Sequence, residues 1–226
     1  MLFRSGKSWQ ASCLGEIGLQ ATPALAAALK AQQADGSVYL ALLGLKNIAA
    51  KSAAARQAIL PFLEHKQAAF RSMALSALVA STAKPASLMP RLQAAMRDDN
   101  TLVRQEAMDA LASLGRSARG ATSALVESLD DRDAAVQLSA VRAIGKLGSE
   151  DTALARRLAG MLDGAGTDLR LAVVESLGGF RKLPSIAVKR LVGVLEGKHA
   201  ATQSAGFDAL AKLGPEAKPE IGRAHL

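Results

Sequence analysis

The chain has 226 residues, half of them apolar but only 3% aromatic, and a net charge of +8. A core must therefore come from Ala, Leu, Val and Ile at close helix spacing, and the single cysteine, Cys13, excludes an internal disulfide or a multi-cysteine metal site. The apolar runs are too short and too rich in Ala to span a membrane, and the N-terminus lacks the apolar stretch of a signal peptide. Trp9-Gln10-Ala11-Ser12 ahead of Cys13 does not read as a lipoprotein cleavage site.

In chain order, residues 7–18 read as a lone helix with Leu14 and Ile17 in the places that Leu45 and Ile48 hold later. From 22 to 218 three apolar columns recur every 33 residues. The first is Leu45, Leu78, Leu111, Ile144, Leu177 and Leu210; the second is Ile59, Leu92, Leu125, Leu158 and Leu191; the third is Leu63, Met96, Leu129, Leu162 and Leu195. A fixed period of this size marks a solenoid, whose units bury their apolar faces only against their neighbours.

One unit, residues 88–121, shows the plan. Leu88, Leu92 and Met96 define a short first helix, and Val103, Ala107, Leu111 and Leu114 a second, both at helical spacing. Pro90 suits a first helical turn, as does Pro23 in an earlier unit. The turn Asp98-Asp99-Asn100-Thr101 offers short oxygen-bearing side chains to cap the second helix; Asp130-Asp131-Arg132-Asp133 and 164–168 stand there in later units. Gly at Leu114-Gly115, Leu147-Gly148 and Leu213-Gly214-Pro215 ends the second helices. Residues 219–226 begin a further first helix and stop. The domain expectation is one array over 1–226, a fragment truncated at both ends. Ile221-Gly222-Arg223-Ala224-His225 resembles translated read-through of a sequencing adapter, which would make the tail non-native.

The two-helix unit, its Leu-x-Asp turns, Val103-Arg104 and Ala-Ile-Gly-Lys-Leu-Gly at 143–148 resemble the HEAT repeat, and the closest subtype is similar to the HEAT-like repeats of phycobilisome lyases. The resemblance implies an all-α α-solenoid of about six repeats, with the second helices lining a concave face, and a non-enzymatic scaffold that binds a protein or peptide there. It also implies an arginine at each second-helix start; Arg71, Arg104 and Arg170 match, whereas Gln137 and Gln203 interrupt any continuous ladder. A bilin-lyase-type subunit is the alternative this subtype implies, needing a partner and a tetrapyrrole, with no residue here pointing to either.

Catalytic candidates do not assemble. His65 and His199 fall in turns four units apart and His225 in the tail, so no metal site forms. Cys13 beside Leu14 reads as a small buried hydrophobe. Gly6-Lys7-Ser8 lacks the upstream glycine and strand of a phosphate loop. The acidic pairs Asp98 with Asp99 and Asp130 with Asp131 read as solvated helix caps. DNA glycosylases exist on HEAT-like arrays, but Trp9 and Tyr39 give little for base stacking. No catalytic, metal-binding or cofactor-binding residue is assigned.

Charge is uneven. Along the edge where second helices end and first helices begin stand Lys51, Arg56, Lys84, Arg91, Arg116, Arg119, Arg156, Arg157, Arg181, Lys182, Lys189, Arg190 and Lys218, against Glu150, Asp151, Glu216 and Glu220. Thirteen minus four leaves +9, about the entire excess. Arg116, Arg119, Arg156, Arg157, Arg181, Lys182, Lys189 and Arg190 are the candidates for a polyanion, nucleic acid included; the other reading is that these cations complement negative helix ends and keep the chain soluble. For a partner on the concave face the candidates are Tyr39, Leu43, Ser72, Gln105, Asp109, Leu138, Arg142, Lys146, Leu171, Glu175 and Asp208. A row of mixed sign with apolar anchors suits a peptide or helix better than a phosphate backbone. Leu138 and Leu171 are either exposed anchors or packed on each other. The oligomeric state stays open, and a cytoplasmic location follows only for a chain complete at its N-terminus.

Overall fold

The computed structural model describes residues 18–31, 35–81 and 85–214. The readings of Trp9 and Cys13, the lone helix at 7–18 apart from Gly18, Lys84, and the tail with Lys218 and His225 lie outside these residues. Two compact units divide at Ala110 and Leu111.

The first unit contains α1 (Thr22–Ala31), α2 (Asp35–Ile48), α3 (Ala53–Ile59), α4 (Ala68–Ser81), α5 (Met89–Ala95) and the start of α6 (Thr101–Leu114). Each short first helix is followed by a longer second one, and α2 packs along α4. Ser52 caps α3 by accepting the Ala55 N–H at 3.1 Å, and Pro90 stands in the first turn of α5, where its missing N–H costs nothing. The His65 ring stacks on Phe62 at 5.5 Å and meets Phe70 edge-on at 5.0 Å. Its Nδ1 accepts the Gln67 N–H.

In the second unit are α7 (Thr122–Ser128), α8 (Ala134–Leu147), α9 (Thr152–Gly160), α10 (Thr167–Leu177), α11 (Ser185–Leu195) and α12 (Ala200–Leu213). Asp133 caps α8 through the Ala135 N–H at 2.9 Å, and Asp151 caps α9 through those of Ala153 and Leu154. The acidic turns thus satisfy orphan donors, as their position required. Gly148, after α8, has φ +63, a region costly for other residues.

The second helices begin at 35, 68, 101, 134, 167 and 200, which keeps the period. No strand occurs among the described residues. The column from Leu45 to Leu210 is never more than 6% exposed, and the column from Ile59 to Leu191 has no accessible surface. Burying one such side chain contributes about 1.5–3 kcal/mol. In the third column Met96, Leu129 and Leu162 are buried, while Leu63 and Leu195 are half-buried.

Candidate functional site

On the second helices of unit one, Tyr39 is 47% exposed and Asp109 is exposed, while Leu43, Ser72 and Gln105 are half-buried. A polar relay lies among them. Lys46 Nζ donates to Ser76 Oγ at 2.7 Å, and Ser76 hydrogen-bonds the Glu106 carboxylate. Burial raises the Glu106 carboxyl above the usual range, with Asp109 adding to the effect; the Ser76 bond and the Lys46 charge oppose it. Sequence reasoning singled out neither Lys46 nor Glu106. Lys46 and Ser76 are 30 residues apart, and Glu106 continues that diagonal, which crosses the apolar columns and so does not show in them.

In four repeats the residue at the arginine position of the second-helix start has a structural role. Arg71 donates to the carbonyls of His65 and Lys66, and buried Arg104 to those of Asp98 and Asp99. Gln137 donates to the Asp131 carbonyl, and Gln203 to those of Leu195 and Gly197. Glutamine therefore does the same work as arginine, which explains why the ladder tolerates interruption. Arg71 also forms a forked pair with Asp98, at 2.8 Å from Nε and 2.7 Å from Nη2. Burial resists ionisation of Asp98, but the Arg71 bond, the Asn100 N–H and the charges of Arg71 and Arg104 hold its carboxyl below the usual range. This pair lines a cavity of about 420 Å³ with Glu64 and Arg91.

On the second helices of unit two, Arg142, Lys146, Glu175 and Asp208 are exposed, and Leu138 and Leu171 are each half-buried. Here the helices approach through backbone. A Cβ on Gly145 would lie 2.6 Å from Ser176 Cα, and one on Gly178 3.2 Å from Ala209 Cα.

The basic edge is partly spent. Arg157 pairs with Asp130 at 2.6 Å, Arg181 with Glu150 at 3.0 Å, and Arg190 with Asp163. Arg119 Nε donates to the Leu147 carbonyl at the end of α8. Arg116, Arg156, Lys182 and Lys189 are exposed. Arg157 and Arg190 reach the turns inside the preceding helix pairs, the edge of the aspartates. First helices are short, so a residue in the C-terminal half of α9 or α11 already stands beside that turn.

Among the described residues no three His, Cys, Asp or Glu side chains group to hold a metal ion, and no helix is long and apolar enough to cross a membrane. Residues 88–178, from the end of the 3-10 turn before α5 through α10, match the model for HEAT repeats. This stretch is similar to HEAT repeats. The pairs on either side of them keep the HEAT period and its buried columns. No curated protein matches the sequence. Among solved structures, an engineered protein aligns over 85% of this chain and 98% of its own with TM-score 0.64 and 19% identity. A designed armadillo repeat protein in complex with the peptide (KR)4 aligns over 85% and 99%, with TM-score 0.64 and 18% identity. The complex of CpcE and CpcF of phycocyanin lyase from Nostoc sp. PCC7120 aligns over 75% and 68%, with TM-score 0.61 and 24% identity. At these identities the likeness is one of fold: all-α, of the α-solenoid class.

Proposed function

We infer that this chain is a non-enzymatic scaffold whose second-helix faces bind a protein partner, each unit taking a peptide or helix along its own face. The observation behind this is the chemistry of those faces: exposed Tyr39 with half-buried Leu43 in unit one, and half-buried Leu138 and Leu171 among Arg142, Lys146 and Glu175 in unit two. Aromatic, aliphatic and arginine side chains set among charges of both signs are what protein contacts use. The designed armadillo neighbour, solved with its (KR)4 peptide, supports the capacity of this fold class to hold a peptide. The bilin-lyase alternative rests on fold likeness, which carries no chemistry by itself. The nucleic-acid alternative rests on edge charge, and three of its eight candidates already hold carboxylates.

The test is selection of peptides from a displayed library on the intact chain, followed by anisotropy with two face variants, Tyr39→Ala with Leu43→Ser and Arg142→Glu with Lys146→Glu. A face variant weakens selected peptides about tenfold, as loss of a central anchor does. An edge variant, Arg116→Gln with Arg156→Gln, Lys182→Gln and Lys189→Gln, changes mainly their salt dependence. Peptides lost only with the edge variant, or duplex DNA held at physiological salt, would overturn the face reading.

A further inference from the structure

The Arg71 cavity of unit one has a counterpart three helix pairs along the chain. In unit two a cavity of about 320 Å³ is lined by Asp163, Arg170, Arg190, Gly197, His199 and Thr202. Arg170 stands in the column of Arg71, Arg190 in that of Arg91, and Asp163 in that of Glu64. Two replacements change the chemistry: Gly197 stands where unit one has Asp98, and Thr202 where it has Val103.

The first replacement removes a carboxylate. Arg71 spends two N–H groups on Asp98, whereas half-buried Arg170 has neither an ion pair nor a side-chain hydrogen bond among the described residues. The second replacement adds a hydroxyl to the cavity wall. Thr202 is 2% exposed and its Oγ1 has no hydrogen-bond partner, an arrangement that costs free energy unless something fills it. The same residues open α12, a helix of 14 residues whose N-cap, His199, makes no side-chain cap bond. Orphan N–H groups at such an end favour an anion. Arg190 is held by Asp163, so these two charges cancel and Arg170 leaves the cavity one net positive charge.

We propose that this cavity binds one carboxylate of a partner protein, seated against Arg170 where unit one supplies Asp98 from its own chain. A single planar monoanion matches the forked guanidinium, the one hydroxyl donor and the single excess charge. The source is an Asp or Glu side chain or a C-terminal carboxylate. The site lies at the turn between first and second helices and does not depend on the second-helix faces, so failure of the face reading leaves it standing.

The isotope-labelled chain is titrated at constant ionic strength with N-acetylglutamate amide, with N-acetylglycine as the terminal carboxylate, and with N-acetylglutamine amide as the uncharged blank, while amide and arginine Nε–H resonances are followed by NMR. Saturable shifts at Thr202 and at Arg170 Nε–H are expected with the two acids and not with the blank. The acid that binds more tightly identifies the source. Arg170→Gln, the residue this column already holds at Gln137 and Gln203, weakens binding roughly tenfold, the loss expected of a charge-assisted bond; Arg116→Gln leaves it unchanged. Thr202→Val, which restores the residue of unit one, weakens it less. Gly197→Asp supplies the carboxylate in the same chain and abolishes binding, although its Cβ lies 3.0 Å from the Val194 carbonyl oxygen, so the first two variants decide if it does not fold. Shifts absent at Thr202, or equal binding by Arg170→Gln, would overturn the proposal.

Discussion

In unit one α2 and α4 meet across Lys46 and Ser76, side chains that carry a hydrogen bond onward to Glu106. In unit two α8 and α10 meet at Gly145 and Ser176, and the approach is so close that a single methyl has no room. Lys46 and Gly145 stand in the same position of the repeat, one residue after the buried column. The same backbone plan therefore tolerates a charged spacer in one unit and no side chain at all in the other. Burial in the columns sets the period, and the positions beside them are free to choose how neighbouring helices touch.

The largest test concerns what the units share. Ile144→Asp and Leu78→Asp each place a carboxylate at a position of the first column at most 3% exposed, and each is expected to cost on the order of 3–5 kcal/mol in urea denaturation. A loss confined to one of them would show that the column is not equivalent in the two units. Next come the contacts that differ. Gly145→Ala overpacks the α8–α10 contact and costs about 1–3 kcal/mol, whereas Lys46→Ala removes one partly buried hydrogen bond and costs roughly 1 kcal/mol or less; equal melting of the two variants would break the contrast.

A smaller difference separates the two arginines. Arg71→Gln leaves Asp98 without its forked partner and costs about 1–3 kcal/mol. Arg170→Gln removes no bond among the described residues and stays within about 0.5 kcal/mol by thermal denaturation. The finest test is pH. Asp98 has a lowered folded pKa, so its contribution is present above the ordinary carboxylate range and is lost as pH falls through the folded value; Asp98→Asn abolishes that acid-side loss. Glu106 has a raised folded pKa, so stability declines as pH rises from the unfolded to the folded value; Glu106→Gln removes that decline. Urea titrations across this range read both slopes, and the same slope for both variants would contradict the assignment.

The helix pairs were legible because burial repeats: Leu45 to Leu210 and Ile59 to Leu191 advertise a period that the structure keeps. The caps were legible for a similar reason, since Asp133 and Asp151 stand where orphan N–H groups need acceptors. The cross-repeat contacts were hidden. Arg71 with Asp98, Asp130 with Arg157 and Asp163 with Arg190 all span 27 residues, and Lys46 with Ser76 spans 30. These are diagonals set by how far one helix slides past the next, a quantity that hydrophobic periodicity does not contain. The open cavity was hidden by the same cause, because Gly197 and Thr202 acquire meaning only beside Asp98 and Val103.

One column described above separates two properties that usually change together. Arg71, Arg104, Gln137 and Gln203 all reach back over the preceding turn to its carbonyls, and an N–H on a long side chain is enough for that. The electrostatic potential along this edge can accordingly be rewritten one repeat at a time by exchanging arginine and glutamine, while the backbone keeps its anchoring. Where the arginine holds no carboxylate, as Arg71 holds Asp98, partner preference becomes adjustable by single substitutions that the folding reaction hardly registers.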